Sequence, residues 1–170
     1  MKNLVLEKQI ILKIRVLTLI FIAALAVSGL TAFPLETELG LATQFLGINT
    51  ALPVENYNGL QKWIAFVYQG VSQTNAQFPF MAYGTDWLAF AHLIIAAAFI
   101  GFYREPLRNK WLITWALIAC AAIIPMAMIC GAIRQIPFGW RLIDCSFGIF
   151  GVIPLIWLKN LIKKLEKIIL

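Results

Sequence analysis

Three long stretches without a charged residue constrain the fold of this chain more than any other feature. They run from Val16 to Leu35, from Trp87 to Tyr103 and from Trp111 to Ile133, and they hold 20, 17 and 23 residues. A helix needs about 20 apolar residues to cross the hydrocarbon core of a bilayer, within a tolerated range of about 17 to 25. The sequence therefore predicts transmembrane helices at about residues 14–35, 86–103 and 111–131.

A fourth apolar stretch is too short to cross the bilayer alone. Cys145 to Leu158 holds 14 uncharged residues, which form roughly 21 Å of helix at 1.5 Å per residue. The hydrocarbon core is about 30 Å thick. We therefore expect a fourth transmembrane helix at about residues 140–158, which draws Asp144 and Arg141 below the outer membrane surface. A basic cytoplasmic tail is expected over residues 159–170.

Composition and loop length extend this prediction to the whole chain. Apolar residues make up 61% of the sequence and charged residues 13%, which leaves too few charges to cover the apolar surface of a soluble domain of this size. Short connections make the second, third and fourth helices antiparallel neighbours. The predicted fold is all-α: one polytopic membrane domain over residues 1–170, with four transmembrane helices in an antiparallel bundle.

The connection between the first two spans, at about residues 36–85, is long enough to fold. Its uncharged part is not a further span, because the amide-rich stretch from Gln69 to Gln77 would be costly in hydrocarbon. Apolar residues recur at helical spacing from Leu60 to Val71. This pattern predicts a short amphipathic helix in the first extracytoplasmic loop, which either lies on the membrane surface or caps the bundle.

Basic residues predict the orientation. Eleven of the 14 lie before the first span, between the second and third, or after the fourth, and the exceptions are Lys62, Arg134 and Arg141. The positive-inside rule then places both termini in the cytoplasm. Because the net charge of +6 is explained by topology, we expect no nucleic-acid partner.

The N-terminal helix has an alternative interpretation as a secretory signal peptide. Ala24-Leu25-Ala26 follows a basic start and an apolar stretch, as a cleavage site does. The apolar stretch continues to Leu35, which is long enough to span the membrane, so we favour an uncleaved helix.

Ionisable residues in or near the bilayer gather at the outer ends of the spans, which predicts a ligand-binding site there. An intramembrane ionisable side chain is a functional-site hypothesis by default. The candidates are His92, Asp86, Arg134, Arg141 and Asp144.

Each candidate also has a purely structural interpretation. Asp144 and Arg141 have i,i+3 spacing and can pair on one helix; we predict that Asp144 is ionised and paired with Arg141, Arg134 or both. His92 can hydrogen-bond to Ser28, Thr31 or a backbone carbonyl oxygen. Thr85 and Asp86 together have the composition of a helix start.

Small residues predict where the helices approach closely. Gly148 and Gly151 share a stripe of the fourth span, and Ala89 and Ala96 share one of the second. Small side chains let membrane helices pack backbone to backbone, so we assign these four residues to helix packing.

Several chemistries are excluded by residue type and spacing. The chain has one histidine, and no His, Cys and carboxylate group has the spacing of zinc ligands, so neither a metal nor a cofactor is expected. No phosphate-binding, dinucleotide-binding or hydrolase motif is present. The cysteines form no CxxC pair, although Cys130 and Cys145 both lie near the outer face, where a disulfide is the alternative to two packing thiols.

Two segments resemble a known family. Tyr83 to His92 reads YGTDWLAFAH and Trp140 to Gly148 reads WRLIDCSFG. Both are similar to segments of small four-helix proteins of the bacterial inner membrane that have no known activity. The resemblance covers the chain from about Tyr83 onward. It implies a four-helix membrane fold and a bacterial source, and it transfers no catalytic role.

Three hypotheses for the function follow. The first is a non-enzymatic protein that binds a lipid-like or small polar ligand in an outward-facing pocket. The second is an accessory subunit of a membrane complex. The third is a membrane enzyme that uses His92 with Asp144 or Asp86 as acid and base. The expected partners are membrane lipids and, for the second hypothesis, another membrane protein.

Overall fold

A computed structural model of the protein describes residues 2–169, and every regular element in this range is helical. The α-helices are α1 (Lys2–Ala32), α2 (Leu35–Phe45), α3 (Gly59–Gln77), α4 (Tyr83–Arg104), α5 (Trp111–Ile133) and α6 (Phe138–Ile169). Short 3-10 helices cover Val54–Asn56 and Pro79–Ala82. Four helices, α1, α4, α5 and α6, are long and apolar enough to cross a membrane. The chain is an all-α polytopic membrane protein, which confirms the predicted fold class.

Two of the spanning helices are longer than the sequence predicted. With 31 and 32 residues, α1 and α6 are roughly 46 to 48 Å long, well beyond the hydrocarbon thickness of about 30 Å. Helix α6 continues without a break through the predicted basic tail as far as Ile169. Leu158, Leu161 and Leu165 recur at helical spacing and are buried, so packing holds this extension in place.

Aromatic side chains stand at both ends of α4 and at two positions 17 residues apart on α6. Tyr83 and Trp87 lie in the first turns of α4 and Tyr103 near its end, whereas Trp140 and Trp157 lie on α6. Tryptophan and tyrosine concentrate at membrane–water interfaces. The rise of α6 from Trp140 to Trp157 is roughly 26 Å, close to the thickness of the hydrocarbon core.

The chain forms two compact units. The first takes the residues up to Ala23 together with those from Ala97 onward, and the second takes Ala24–Ala96. The division cuts through α1 and α4, so each of these helices contributes residues to both units. The first unit thus contains all of α5 and α6, and the second contains α2, α3 and the connections around them.

Within the first unit, α5 and α6 pack closely through glycine. A Cβ atom on Gly148 would lie 2.6 Å from the backbone oxygen of Cys120, and one on Gly151 would lie 3.0 Å from the Cys120 Sγ. Gly148 and Gly151 therefore lie where the two helices approach closely, as small residues in membrane helices allow.

A tight turn after α5 brings α6 back against it. The amide of Gln135 donates to the oxygen of Ala132 at 3.1 Å, and the amide of Ile136 donates to that of Gly131 at 2.8 Å. This pair of bonds defines a Schellman motif, whose central residue is in the left-handed conformation and is usually glycine. Here it is Gln135, with φ of 59°. The non-glycine residue makes this turn strained.

One pair of aromatic rings and one cation–ring contact join α1 to α4 within the first unit. The ring centroids of Phe21 on α1 and Phe99 on α4 are 4.8 Å apart, and Phe99 also contacts Phe102 of its own helix, with centroids 6.3 Å apart. The guanidinium carbon of Arg15 lies 5.6 Å from the ring centroid of Tyr103. Because residue numbers rise along α1 as they fall along α4, the two segments are antiparallel.

The second unit contains an antiparallel helix pair, α2 and α3. At one end Asn75 donates to the Glu36 carboxylate at 2.7 Å, and at the other Gln61 donates to the backbone oxygen of Leu46 at 2.9 Å. The predicted amphipathic helix is confirmed as α3, and the connection is folded as expected. Helix α2 was not predicted, although Glu36 and Glu38 in its first turn complement the helix dipole and are a sequence signal for a helix start.

Candidate ligand-binding cavity in the α2–α3 segment

The turn between α2 and α3 is fixed by one asparagine and one tyrosine. The Tyr57 hydroxyl accepts a hydrogen bond from the Asn49 amide at 2.7 Å and donates one to the Asn49 backbone oxygen at 3.1 Å. The Asn49 side chain accepts from the Ala51 amide at 3.1 Å, which is the geometry of an Asx turn. These three hydrogen bonds fix the conformation of the segment from Asn49 to Tyr57 that precedes α3.

This turn and α3 line a half-open cavity of about 310 Å³, named here the amide cavity. Its walls carry apolar groups, two tyrosines, three amides and two hydroxyls, and no lining residue is acidic or basic. The lining residues are Ile48, Asn49, Thr50, Leu52, Val54, Tyr57, Ala65, Tyr68, Gln69, Ser72 and Gln73. Small-molecule sites place a few convergent polar groups among apolar walls, and this lining has a larger polar share, since seven of its eleven residues are polar.

A second cavity of about 360 Å³, named here the Glu36 cavity, lies along α2. It is shallower and more open to solvent, and it is lined by Glu36, Thr37, Gly40, Leu41, Gln44 and Tyr68. Tyr68 is the one residue that lines both cavities. Its ring lies beside α2 at Gly40, where a Cβ atom would be in ordinary van der Waals contact at 3.6 Å from the Tyr68 Cε2.

Two of the predicted site residues lie on α4 in the second unit. The Nδ1 atom of His92 is 2.8 Å from the backbone oxygen of Leu88, so the hydrogen bond to a carbonyl oxygen that we anticipated is present and comes from the histidine's own helix. Asp86 lies in the first turn of α4, and within residues 2–169 its carboxylate has no ion pair. The helix starts earlier than expected, at Tyr83, and Thr85 donates its hydroxyl to the Ala82 oxygen at 2.6 Å.

The other three predicted site residues, Arg134, Arg141 and Asp144, belong to the first unit, and the predicted ion pair is wrong. No ion pair within residues 2–169 includes Asp144. The Arg141 guanidinium instead lies 5.4 Å from the ring centroid of Phe138, and its stem lies against Gly131. Helical side chains lean toward the helix N-terminus, which carries this guanidinium away from Asp144.

The consequence for Arg141 is an unsatisfied polar atom. Its Nε is buried and has no hydrogen-bond partner in the described part of the chain.

The remaining candidates form no cluster. Arg134 lies exposed in the turn after α5. Cys130 and Cys145 are free thiols, so the alternative of a disulfide is not realised. Residues 2–169 contain no group of three His, Cys, Asp or Glu side chains placed to hold a metal ion.

The residues that line the cavities are not those that the sequence singled out. The sequence predicted a site at ionisable residues of the apolar helices, whereas both cavities are formed by the segment between α1 and α4. The sequence signal for the amide cavity was the amide-rich stretch that excluded a fifth span: Gln69, Ser72 and Gln73 belong to it.

A comparison with protein-family models found no match, and neither the comparison with curated proteins nor that with solved structures found one.

Proposed function

We propose that this integral membrane protein binds a small uncharged polar ligand, of the sugar or polyol class, in the amide cavity. The observation that carries this proposal is the lining of the cavity: amides, hydroxyls and two tyrosines without an acidic or basic residue. It retains the hypothesis of a non-enzymatic binding protein and moves the pocket from the spanning helices to the α2–α3 segment.

The chemistry of the lining supports an uncharged ligand. Each amide and hydroxyl side chain both donates and accepts hydrogen bonds, as sugar hydroxyls do. A charged ligand would lose hydration without gaining a counter-ion from the lining, and burial of an unpaired charge is costly. The tyrosine rings offer flat apolar faces with a polar edge, which suit the faces of a sugar ring.

The volume supports the same ligand class. A cavity of about 310 Å³ equals the volume of about ten water molecules at about 30 Å³ each, which leaves room for one sugar ring with its hydroxyls. It also falls at the lower end of the range for small-molecule sites, about 300 to 1,000 Å³.

The proposal places the protein in the bacterial inner membrane with both termini in the cytoplasm. The distribution of 11 of 14 basic residues supports cytoplasmic termini, which makes the cavity extracytoplasmic. The resemblance of Tyr83–His92 and Trp140–Gly148 to a bacterial family supports the inner membrane. Reporter fusions test this: a fusion after Lys167 should be active only in the cytoplasm, and one within the turn at Thr50 only outside it. The reverse pattern refutes the orientation.

A binding titration of the full-length protein in detergent tests the ligand class. Glucose and lactose should each quench or enhance tyrosine and tryptophan fluorescence saturably, and sodium gluconate, which is charged, should bind more weakly than glucose. Gln69→Leu removes one lining amide, and loss of a neutral hydrogen bond of about 1 kcal/mol should weaken glucose binding roughly fivefold.

The matched control is Gln77→Leu, at the end of α3 and outside both cavities, which should leave binding unchanged. Circular dichroism and gel filtration check that both variants fold. No saturable binding of either uncharged sugar, or tighter binding of gluconate than of glucose, refutes the proposal.

A further inference from the structure

The two cavities share one wall, the ring of Tyr68. The ring is held against α2 at Gly40, and it lines the amide cavity together with residues of the turn and of α3. It also lines the Glu36 cavity together with residues of α2. The two cavities are therefore neighbours on either side of Tyr68, close enough for one extended ligand to contact both.

The two cavities differ in charge. The amide cavity has no acidic or basic lining residue, whereas the Glu36 cavity contains one carboxylate. Asn75 holds that carboxylate in place by donating to its Oε2 at 2.7 Å. No ion pair within residues 2–169 includes Glu36. A carboxylate offers about four acceptor positions, so most of them remain open to a ligand.

The neighbours of Glu36 in this cavity reinforce its preference for a donor. Thr37 and Gln44 add a hydroxyl and an amide, and Leu41 and Gly40 supply apolar surface. The lining contains no cation, so a bound anion would face the carboxylate unopposed. A protonated amine is the group that satisfies this arrangement, since ammonium carries donors and no acceptor.

We infer that the ligand is an amino-bearing disaccharide or a glycoside of that kind, with an uncharged ring in the amide cavity and a protonated amino group at Glu36. This inference rests on the proposed function, because it extends the same ligand beyond Tyr68. Charge-assisted hydrogen bonds contribute about 1.5 to 3 kcal/mol, so the amine strengthens binding about ten- to a hundredfold.

Three sugars that differ only at one position provide the test. Lactose carries a hydroxyl there, lactosamine an amine that is protonated at pH 6, and N-acetyllactosamine an uncharged amide. Titrations of the full-length protein should show lactosamine binding at least about tenfold more tightly than the other two, and added salt should reduce this preference.

The decisive variant is Glu36→Gln, which removes the charge and keeps an oxygen that accepts from Asn75. It should abolish the preference for lactosamine and leave lactose binding unchanged. Glu38→Gln, in the same helical turn and outside both cavities, is the matched control and should keep the preference.

The outcomes separate the two proposals. If lactose binds and lactosamine binds no more tightly, the site at Glu36 is refuted and the proposed function stands. If Glu36→Gln keeps the preference, the amine is bound elsewhere and the inference is also refuted. If none of the three sugars binds, the proposed function itself is wrong and the inference falls with it.

Discussion

Replacing Gly148 with alanine tests the contact between α5 and α6 at its narrowest point. The new Cβ atom would lie 2.6 Å from the Cys120 backbone oxygen and 3.4 Å from the Ile123 Cβ, whereas real Cβ contacts are essentially never closer than 3.0 Å. The helices must therefore separate by at least about 0.4 Å. The clash is with a backbone atom, which no rotamer change relieves.

The expected cost follows from this separation. Overpacking of a well-packed interface costs about 1 to 3 kcal/mol, and a radial gap of about 0.5 Å forfeits about a quarter of the dispersion attraction of the atoms that it separates. Alanine also favours the helix by up to about 1 kcal/mol relative to glycine. Gly139→Ala, on the same helix and with open space around its Cβ position, is the control for this gain.

Thermal unfolding in detergent, followed by tryptophan fluorescence, measures the difference. Gly148→Ala should unfold with a free energy about 1 to 3 kcal/mol lower than that of Gly139→Ala. Equal stability of the two variants would refute the close contact.

A second variant separates backbone from side-chain clashes. At Gly151 the contact is the Cys120 Sγ, 3.0 Å from the Cβ position, so Cys120→Ala should rescue Gly151→Ala. The same change should not rescue Gly148→Ala, because the carbonyl oxygen remains. Rescue of both would show that the helices adjust as a whole.

Gln135→Gly should stabilise the protein by about 1 kcal/mol, because glycine adopts the left-handed conformation without the strain that a side chain causes there. Gly47→Ala, at the equivalent position after α2 with φ of 66°, should destabilise the protein by a similar amount. A loss of stability in Gln135→Gly contradicts the motif. A double-mutant cycle on Arg141→Gln and Asp144→Asn should be additive within about 0.5 kcal/mol, and a larger coupling would mean that the two residues pair after all. Asn109→Ala, which removes two side-chain hydrogen bonds to the backbone at the end of α4, should lower thermal stability by about 1 to 2 kcal/mol, and an unchanged melting temperature would show that these bonds contribute nothing.

The sequence alone determined the fold class and the number of spans. A transmembrane helix satisfies its own backbone hydrogen bonds, so its existence depends on a local apolar stretch, such as the one from Trp111 to Ile133. The same locality made α3 predictable from its periodicity.

The continuation of α6 after Leu158 has a local signal and a tertiary cause. Leu158, Leu161 and Leu165 recur at helical spacing in the sequence, which is typical of an amphipathic helix. Only the tertiary structure shows what this face contacts: the three leucines are buried in the first unit, and Lys110 and Glu166 form an ion pair of 2.7 Å.

The direction of the Arg141 side chain was likewise a tertiary outcome. The i,i+3 spacing alone allowed an ion pair with Asp144. In the structure the aliphatic stem of Arg141 packs instead against Gly131 of the neighbouring helix, where the absence of a side chain leaves space for it.

The cavities depend most of all on tertiary structure. Tyr68 lines both because the pairing of α2 with α3 brings its ring beside Gly40, 28 positions earlier on another helix. The sequence supplied the amides, the tyrosines and the carboxylate of Glu36, and the pairing of α2 with α3 decided that they line two neighbouring cavities. Local hydropathy therefore specifies how this chain enters a bilayer, whereas contacts between residues far apart in sequence specify where a ligand fits.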